Sequence, residues 1–335
     1  MKSISFKSLM TLMSAIAILS FWGCAKSDGD KDESSSDSLP VTEHNDTSPP
    51  PPSALPSTLK KTGQTTVYKA GDDGTYQIGV ATSYTRDDTK EIVTDNVTGL
   101  MWQDDTEAET VNRDWAGADA YCTALSLGTY DDWRVPTIDE LMYIADRSRA
   151  YPAIDFIFRN AVSHCYWSST TVVGHSGNAW IVAFGDSLNY WPEKNYCGYV
   201  RCVRGESNPV ANRFTRDDTT GIVTDGQTYL QWQDDEDAKT VKKNWADAID
   251  HCEGLSLGGY DDWRLPNFNE LYYLVYRDRD PSLSPVFENA SLNFCWSSTT
   301  VVGEDYAWGV PLGDGPADFN VKSSSENVLC TRGGQ

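Results

Sequence analysis

The stretch YDDWRVPTIDEL, Tyr130 to Leu141, returns as YDDWRLPNFNEL, Tyr260 to Leu271. Acidic pairs beside a Trp-Arg suggest a catalytic or metal-binding signature. The competing reading is a fold signature. Pro136 stops an extended segment, and Thr137-Ile-Asp-Glu140 has the form of a capping box, in which each end residue satisfies a backbone N–H of the other. The second copy keeps the box as Asn267-Phe-Asn-Glu270. Leu141, Ile144 and Ala145 continue an apolar stripe at helical spacing. Asp131 and Asp132 stand where negative charge favours a helix start, Trp133 is expected in the core, and Arg134 is expected to pair with a neighbouring Asp.

Outward from this stretch the whole chain repeats. TRDDTKEIVTDNVTGLMWQDD (Thr85 to Asp105) matches TRDDTTGIVTDGQTYLQWQDD (Thr215 to Asp235), and CYWSSTTVVG matches CWSSTTVVG. Solenoid units are far shorter than this period, so the repeat is expected to be two whole domains, residues 59–205 and 214–335. A short join, 206–213, would hold them close together. The piece TGQTTVYKAGDDGTYQIGVATSY before the first copy has no counterpart before the second. Its alternating pattern predicts extra strands for domain one. Trp115, Ala118, Cys122 and Leu125 lie on one helix face, which Gly128 closes. YWSSTTVV, NAWIVAF and GYVRCVR read as short strands. Two helices followed by non-local strands predict an α+β domain.

The N-terminus reads as an export signal, residues 1–23. Lys2 and Lys7 precede an apolar run, Leu9 to Trp22, too short for a comfortable membrane span. Gly23-Cys24 and the polar run after it resemble a bacterial lipoprotein signal, which would make Cys24 the lipidated first residue. The expected location is the outer membrane or cell surface of a Gram-negative bacterium. Residues 24–58, rich in Ser, Asp and Pro, cannot bury enough apolar surface to order themselves and are expected to form a stalk. The formal charge of −22 gives no electrostatic footprint for nucleic acid.

In their order, TGLMWQDD, YCTALSLG, DDWRVPTIDEL, YWSSTT, NAWIV and YVRCVRG resemble the Lcl C-terminal domain family, in two copies at roughly 62–204 and 214–332. The resemblance implies a C-type-lectin-like fold related to formylglycine-generating enzymes. It implies little about function, although the collagen-like adhesin that gives the family its name binds sulfated glycosaminoglycans. Aligning the repeats pairs Cys122 with Cys252, Cys165 with Cys295 and Cys202 with Cys330. The lectin-like pattern implies the bridges Cys122–Cys202, Cys165–Cys197 and Cys252–Cys330, leaving Cys295 as a free thiol. Each helix-to-strand bridge would close a loop of about 80 residues, for which the chain-entropy account gives over about 4 kcal/mol.

Asp pairs could supply oxygen ligands for calcium, and Asp104, Asp105, Asp234 and Asp235 are the candidates. The bland alternative is solvated turns, and no other cofactor is expected. His164, His175 and His251 fall at non-equivalent positions, so no shared nucleophile–base pairing exists and catalysis is not expected. The redox cysteine pair of the formylglycine-generating relatives is not carried over. Five Trp positions recur and are expected in the core. Trp191, in a polar loop of the first copy alone with Tyr190 and Tyr196, is the candidate ligand contact. The basic pairs Lys242-Lys243, Arg277/Arg279, Arg147/Arg149 and Arg201/Arg204 are diluted by acid, which weighs against a sulfated ligand. The function expected is non-catalytic binding or adhesion at the surface, to a carbohydrate or a matrix or envelope protein. A structural or envelope-assembly module is the rival, and an enzyme comes third.

Overall fold

A computed structural model describes residues 59–206, 213–277, 279–302 and 305–334. The expected signal, Cys24, the stalk and most of the join lie outside the described residues. Among those described, no helix is long and apolar enough to cross a membrane.

Each repeat folds as an α+β unit. In the first, β1 (Tyr84–Asp87), β2 (Ile92–Asp95), β3 (Met101–Gln103), β4 (Asn112–Arg113), β5 (Cys165–Val172), β6 (His175–Ala183), β7 (Leu188–Tyr190), β8 (Gly198–Tyr199) and β9 (Val203–Arg204) form two sheets. Their orders are β1-β2-β3-β9 and β4-β8-β5-β6-β7. All neighbours run antiparallel except β5 and β8. The second repeat has the same two sheets, made from β10 (Phe214–Asp217) through β18 (Thr331–Arg332). Among these, β14 spans Phe294–Thr300, β15 Tyr306–Pro311, β16 Asp318–Val321 and β17 Glu326–Asn327.

The helices form where the sequence caps them. Preceded by a one-turn α1 (Asp73–Tyr76), α2 runs Trp115–Ala124 and starts on Asp114, whose side chain accepts from the Gly117 N–H. α3, Ile138–Ile144, carries the complete capping box of Thr137 and Glu140. In the second repeat, after the short α4 (Glu236–Thr240), α5 (Trp245–Glu253) and α6 (Phe268–Tyr273) are their counterparts, with the box on Asn267 and Glu270.

Two disulfides tie α2 to the segment before β9 and α5 to that before β18, as Cys122–Cys202 and Cys252–Cys330. Around each lies a satellite core, with Trp133 and Trp167 in one and Trp263 and Trp296 in the other. A larger core is continuous across both domains and includes Trp102, Trp180, Trp232 and Trp308. Nine of the ten recurring Trp are therefore buried, and Trp115 is half-buried.

The domains meet through equivalent surfaces, in the manner of an isologous pair. Tyr143 and Tyr273, at matching positions, pack edge to face with centroids 6.4 Å apart. Arg147 donates to Asn269 at 3.1 Å, and reciprocally Arg277 meets Asp139 at 3.0 Å.

The segment before the first repeat departs from expectation. It adds no strand to domain one beyond β1. Residues 59–80 form a bridge between Lys60 and Val80, then α1, and lie across domain two as a strap. Asn269 Nδ2 donates to the Lys60 carbonyl, Asn267 Nδ2 to that of Ile78, and the Thr300 N–H to Gln64 Oε1. Lys60 Nζ reaches back to the Tyr143 carbonyl of domain one at 2.9 Å. The carbonyls of Lys60 and Ile78 are thus met by side chains of domain two, while within the strap Lys61 and Val80 donate to Val80 and Leu59 and the Asp72 carboxylate accepts the N–H groups of Tyr68, Lys69 and Thr75.

Candidate functional site

The twice-occurring motif resolves into a brace. Arg134 forks onto both oxygens of Glu140 at 2.7 and 2.8 Å and also donates to the Gly205 carbonyl at 2.9 Å. Glu140 accepts the Thr137 N–H in addition. The partner of Arg134 is thus the capping-box glutamate, not a neighbouring Asp. Asp132 pairs instead with Arg204. Arg264 and Glu270 repeat the fork at 2.7 Å on both arms. One fork therefore locks the final strand to the start of the helix, and the motif is structural in both copies.

The Asp pairs offered to a cation have other partners. Asp104 is fully buried between Arg86 and Arg201 and also accepts the backbone N–H groups of Arg159 and Asn160. Asp234 takes Arg216 and the N–H groups of Glu288, Asn289 and Ala290. Asp105 and Asp235 cap the short helical turns that follow them, accepting from Ala108 and Ala238, and each also takes a Gln side chain. Two guanidinium groups at Asp104 supply the positive charge that a calcium ion would otherwise bring. Among the described residues no group of three His, Cys, Asp or Glu is placed to hold a metal.

The cysteines correct the simple alignment. Cys165 is a free thiol, so the bridge to Cys197 is not formed. The Cys165 thiol hydrogen-bonds the Tyr196 hydroxyl, so Tyr196, not Cys197, faces it. Strand register shows why Cys295 differs. Tyr166 pairs with Val182 and lies beside Tyr199, while Cys295 pairs with Val310 and lies beside Asn327. Cys295 thus fills the place of Tyr166, and Phe294 that of Cys165. Cys295 is free, as expected, and buried. Burial pushes both thiols up to about 12, far from reactive thiolates.

The three histidines inside the described region lie apart. The His164 ring stacks on Tyr199, His175 tilts against Trp191, and His251 sits half-buried on α5. No two of them share one site.

The aromatic loop of domain one is split. Tyr190 lies in β7, and its hydroxyl donates to Asp186. Tyr196 packs its edge on Trp167. Trp191 alone projects, 44% exposed, with its ring 5.3 Å from that of His175 and its carbonyl held by Asn178 Nδ2. Val173, also exposed, lies at the tip of the same β5–β6 hairpin. The register explains the projection. Pairing of β6 with β7 ends at Tyr190, and the chain rejoins β6 only at the Asn178–Glu193 bridge. At the matching position of domain two, Phe319 continues its strand opposite Trp308 and is buried. His175 escaped the sequence reading, because only the fold brings it beside Trp191.

A second feature was also missed. Lys194 Nζ lies 4.4 Å from the centre of the half-buried Trp115 ring. Its counterpart Lys322 is held between Trp245 and Tyr68 of the strap, at 4.3 and 4.4 Å. The recurring Trp and Lys were visible in the sequence, but their contact spans two elements.

The basic pairs do not form a stripe. Arg147, Arg201 and Arg277 are buried, Arg204 is paired with Asp132 and Arg149 with Asp146, while the exposed Arg279 lies over the Tyr276 ring, apart from Lys242 and Lys243 on a short edge strand.

Among curated proteins no sequence matches the chain. The family model of the Lcl C-terminal domain matches residues 91–204 and again 221–332. These two segments fall on the two α+β units and cover more than half of the chain, so the protein belongs to the Lcl C-terminal domain family, as a tandem pair.

Proposed function

We propose that the protein is a non-catalytic binding module of the cell exterior, anchored in the outer membrane through Cys24 by a stalk of residues 24–58. Its two domains are read as C-type-lectin-like, and its ligand as a carbohydrate of the matrix or envelope. The observation that carries this reading is the exposed Trp191 ring supported by His175. An exposed indole held in place by a neighbouring ring offers a flat apolar platform at little entropic cost, which suits the C–H faces of a sugar. Burial of Arg147, Arg201, Arg264 and Arg277, pairing of Arg86, Arg134, Arg204, Arg213, Arg216 and Arg332 with carboxylates, and the charge of −22 favour a neutral or weakly charged glycan over a sulfated one. The scattering of His164, His175 and His251 supports a non-catalytic role.

A glycan and matrix-protein array probed with the lipid-free protein tests the reading. Glycan hits that disappear in Trp191→Ala and weaken in His175→Ala are expected. Silence of the wild-type protein across both arrays would instead favour the structural or assembly module. Retention on heparin at moderate salt would overturn the preference for a neutral glycan.

A further inference from the structure

The strap shows what one face of this fold can hold, and the matching face of domain one stands open. In domain two, Ser298, Thr299 and Thr300 are only 2%, 1% and 2% exposed, and Trp245 is 3% exposed. The matching Ser169 and Thr171 are exposed, while Thr170 and Trp115 are half-buried. The Arg264 side chain is 7% exposed and that of Arg134 34%.

Three strap contacts use groups that domain one also has. Tyr68 closes over the Lys322–Trp245 pair, which recurs as Lys194 over Trp115. Asp73 accepts from the Thr299 hydroxyl at 2.8 Å, which recurs as Thr170. Gln64 accepts the Thr300 N–H at 2.6 Å, which recurs at Thr171. Even the inner bond of that threonine is shared. Thr299 Oγ1 accepts the Phe268 N–H, as Thr170 Oγ1 accepts that of Ile138. The groups specific to the covalently attached strap are the ones that change. Ile249 lies against Gly71, Asp250 pairs with Lys69, and Glu253 accepts from the Tyr76 hydroxyl. In domain one these positions are Asp119, Ala120 and Thr123.

From this we infer that the open face of domain one, from Trp115 and Lys194 across Thr170 and Thr171, docks an extended peptide segment of another protein. That segment presents an aromatic ring to the Lys194–Trp115 pair and, further along, a carboxylate or carboxamide to the threonines. The complementarity fixes the chemistry. The face offers a cation, a hydroxyl and a ring, and the strap answers the same set with Tyr68, Asp73 and Gln64. A cation held against two rings gains more than one held against a single ring, because the second face excludes water. The segment needs no lysine, since no counterpart of Asp250 awaits one. The inference is independent of the glycan platform, which uses Trp191 and His175.

The test is titration of a synthetic peptide with the sequence of residues 62–76 into the intact lipid-free protein, followed by calorimetry. Saturable binding is expected, weakened about tenfold by Lys194→Ala and lost when Thr171→Tyr fills the face. Lys322→Ala, on the covered face, should leave it unchanged. Absence of binding overturns the inference. So does binding sensitive to Lys322→Ala but not to Lys194→Ala, because the peptide would then be displacing the strap. Loss of glycan binding in Trp191→Ala with peptide binding intact would separate the two sites.

Discussion

At the scale of single residues, Asp104 shows how a buried charge becomes a structural hub. Its carboxylate is enclosed by Arg86, Arg201 and two backbone N–H groups. Removing the acid leaves Arg201 buried and uncompensated, so Asp104→Ala should lose about 3–5 kcal/mol in chemical denaturation. Domain two contains the counter-experiment. The position matching Arg201 is Leu329, fully buried, and Asp234 there gains a third N–H from Ala290. Arg201→Leu should therefore cost clearly less than Asp104→Ala, since Arg86 still neutralises the acid. Equal losses would contradict this asymmetry. The thiols make a second case. With Cys165 and Cys295 held up to about 12 by burial, a disulfide-exchange reagent at pH 8 should label neither until the protein is unfolded, as mass mapping would show. The lectin-like resemblance implied both Cys122–Cys202, which forms, and Cys165–Cys197, which does not, since Cys165 is a free thiol set against Tyr196. Adjacent residues face different ways, and the register that decides which faces inward comes from the sheet.

Among elements, the helices were the most legible and the strap the least. Both capping boxes carry their own signal within four residues, and both form as read. The strap has only the Asp72 cap of its single helical turn as a local signal, and the contacts that dock it, through Asn267, Asn269, Thr299 and Thr300, lie in the other domain. Asp73 illustrates the consequence. Its carboxyl is buried against Thr62, Thr299 and the charge of Glu270, and burial raises it to about 6 from the 3.8 of the unfolded chain. Between those two values the docked strap holds a proton that the unfolded chain has released. The contribution is therefore complete below 3.8 and is lost as pH rises through about 6. A shift of this size corresponds to at most about 3 kcal/mol. Hydrogen exchange of residues 60–80, corrected for intrinsic rate, should be slower at pH 5 than at pH 7.5. Asp73→Asn should remove that difference while leaving the strap docked; a difference that persisted would assign the pH dependence to another group.

Across the whole molecule, the repeat made two domains legible, but not their union. Each repeat reads as self-sufficient, with its own disulfide and its own satellite core. The faces that join them carry residues that a sequence reading assigns to the surface: Arg147, Arg277, Asp139 and Asn269. The arginines are buried because rings accept their flat faces, Phe268 under Arg147 at 3.7 Å and Tyr272 under Arg277 at 3.4 Å. With the shared core and the strap, which links α3 to domain two through Lys60, the domains should melt together. Calorimetry of the intact chain should then give one transition whose van't Hoff and calorimetric enthalpies agree. Deleting residues 1–81 removes every strap contact but leaves Cys122–Cys202, Cys252–Cys330 and the Tyr143–Tyr273 contact. The exposed Ser298–Thr300 edge and the uncovered Lys322 then weaken domain two alone. Domain two should melt first and the single peak should split or broaden toward low temperature. A truncated chain that kept one sharp transition at an unchanged midpoint would show that the shared core, without the strap, is what couples the domains.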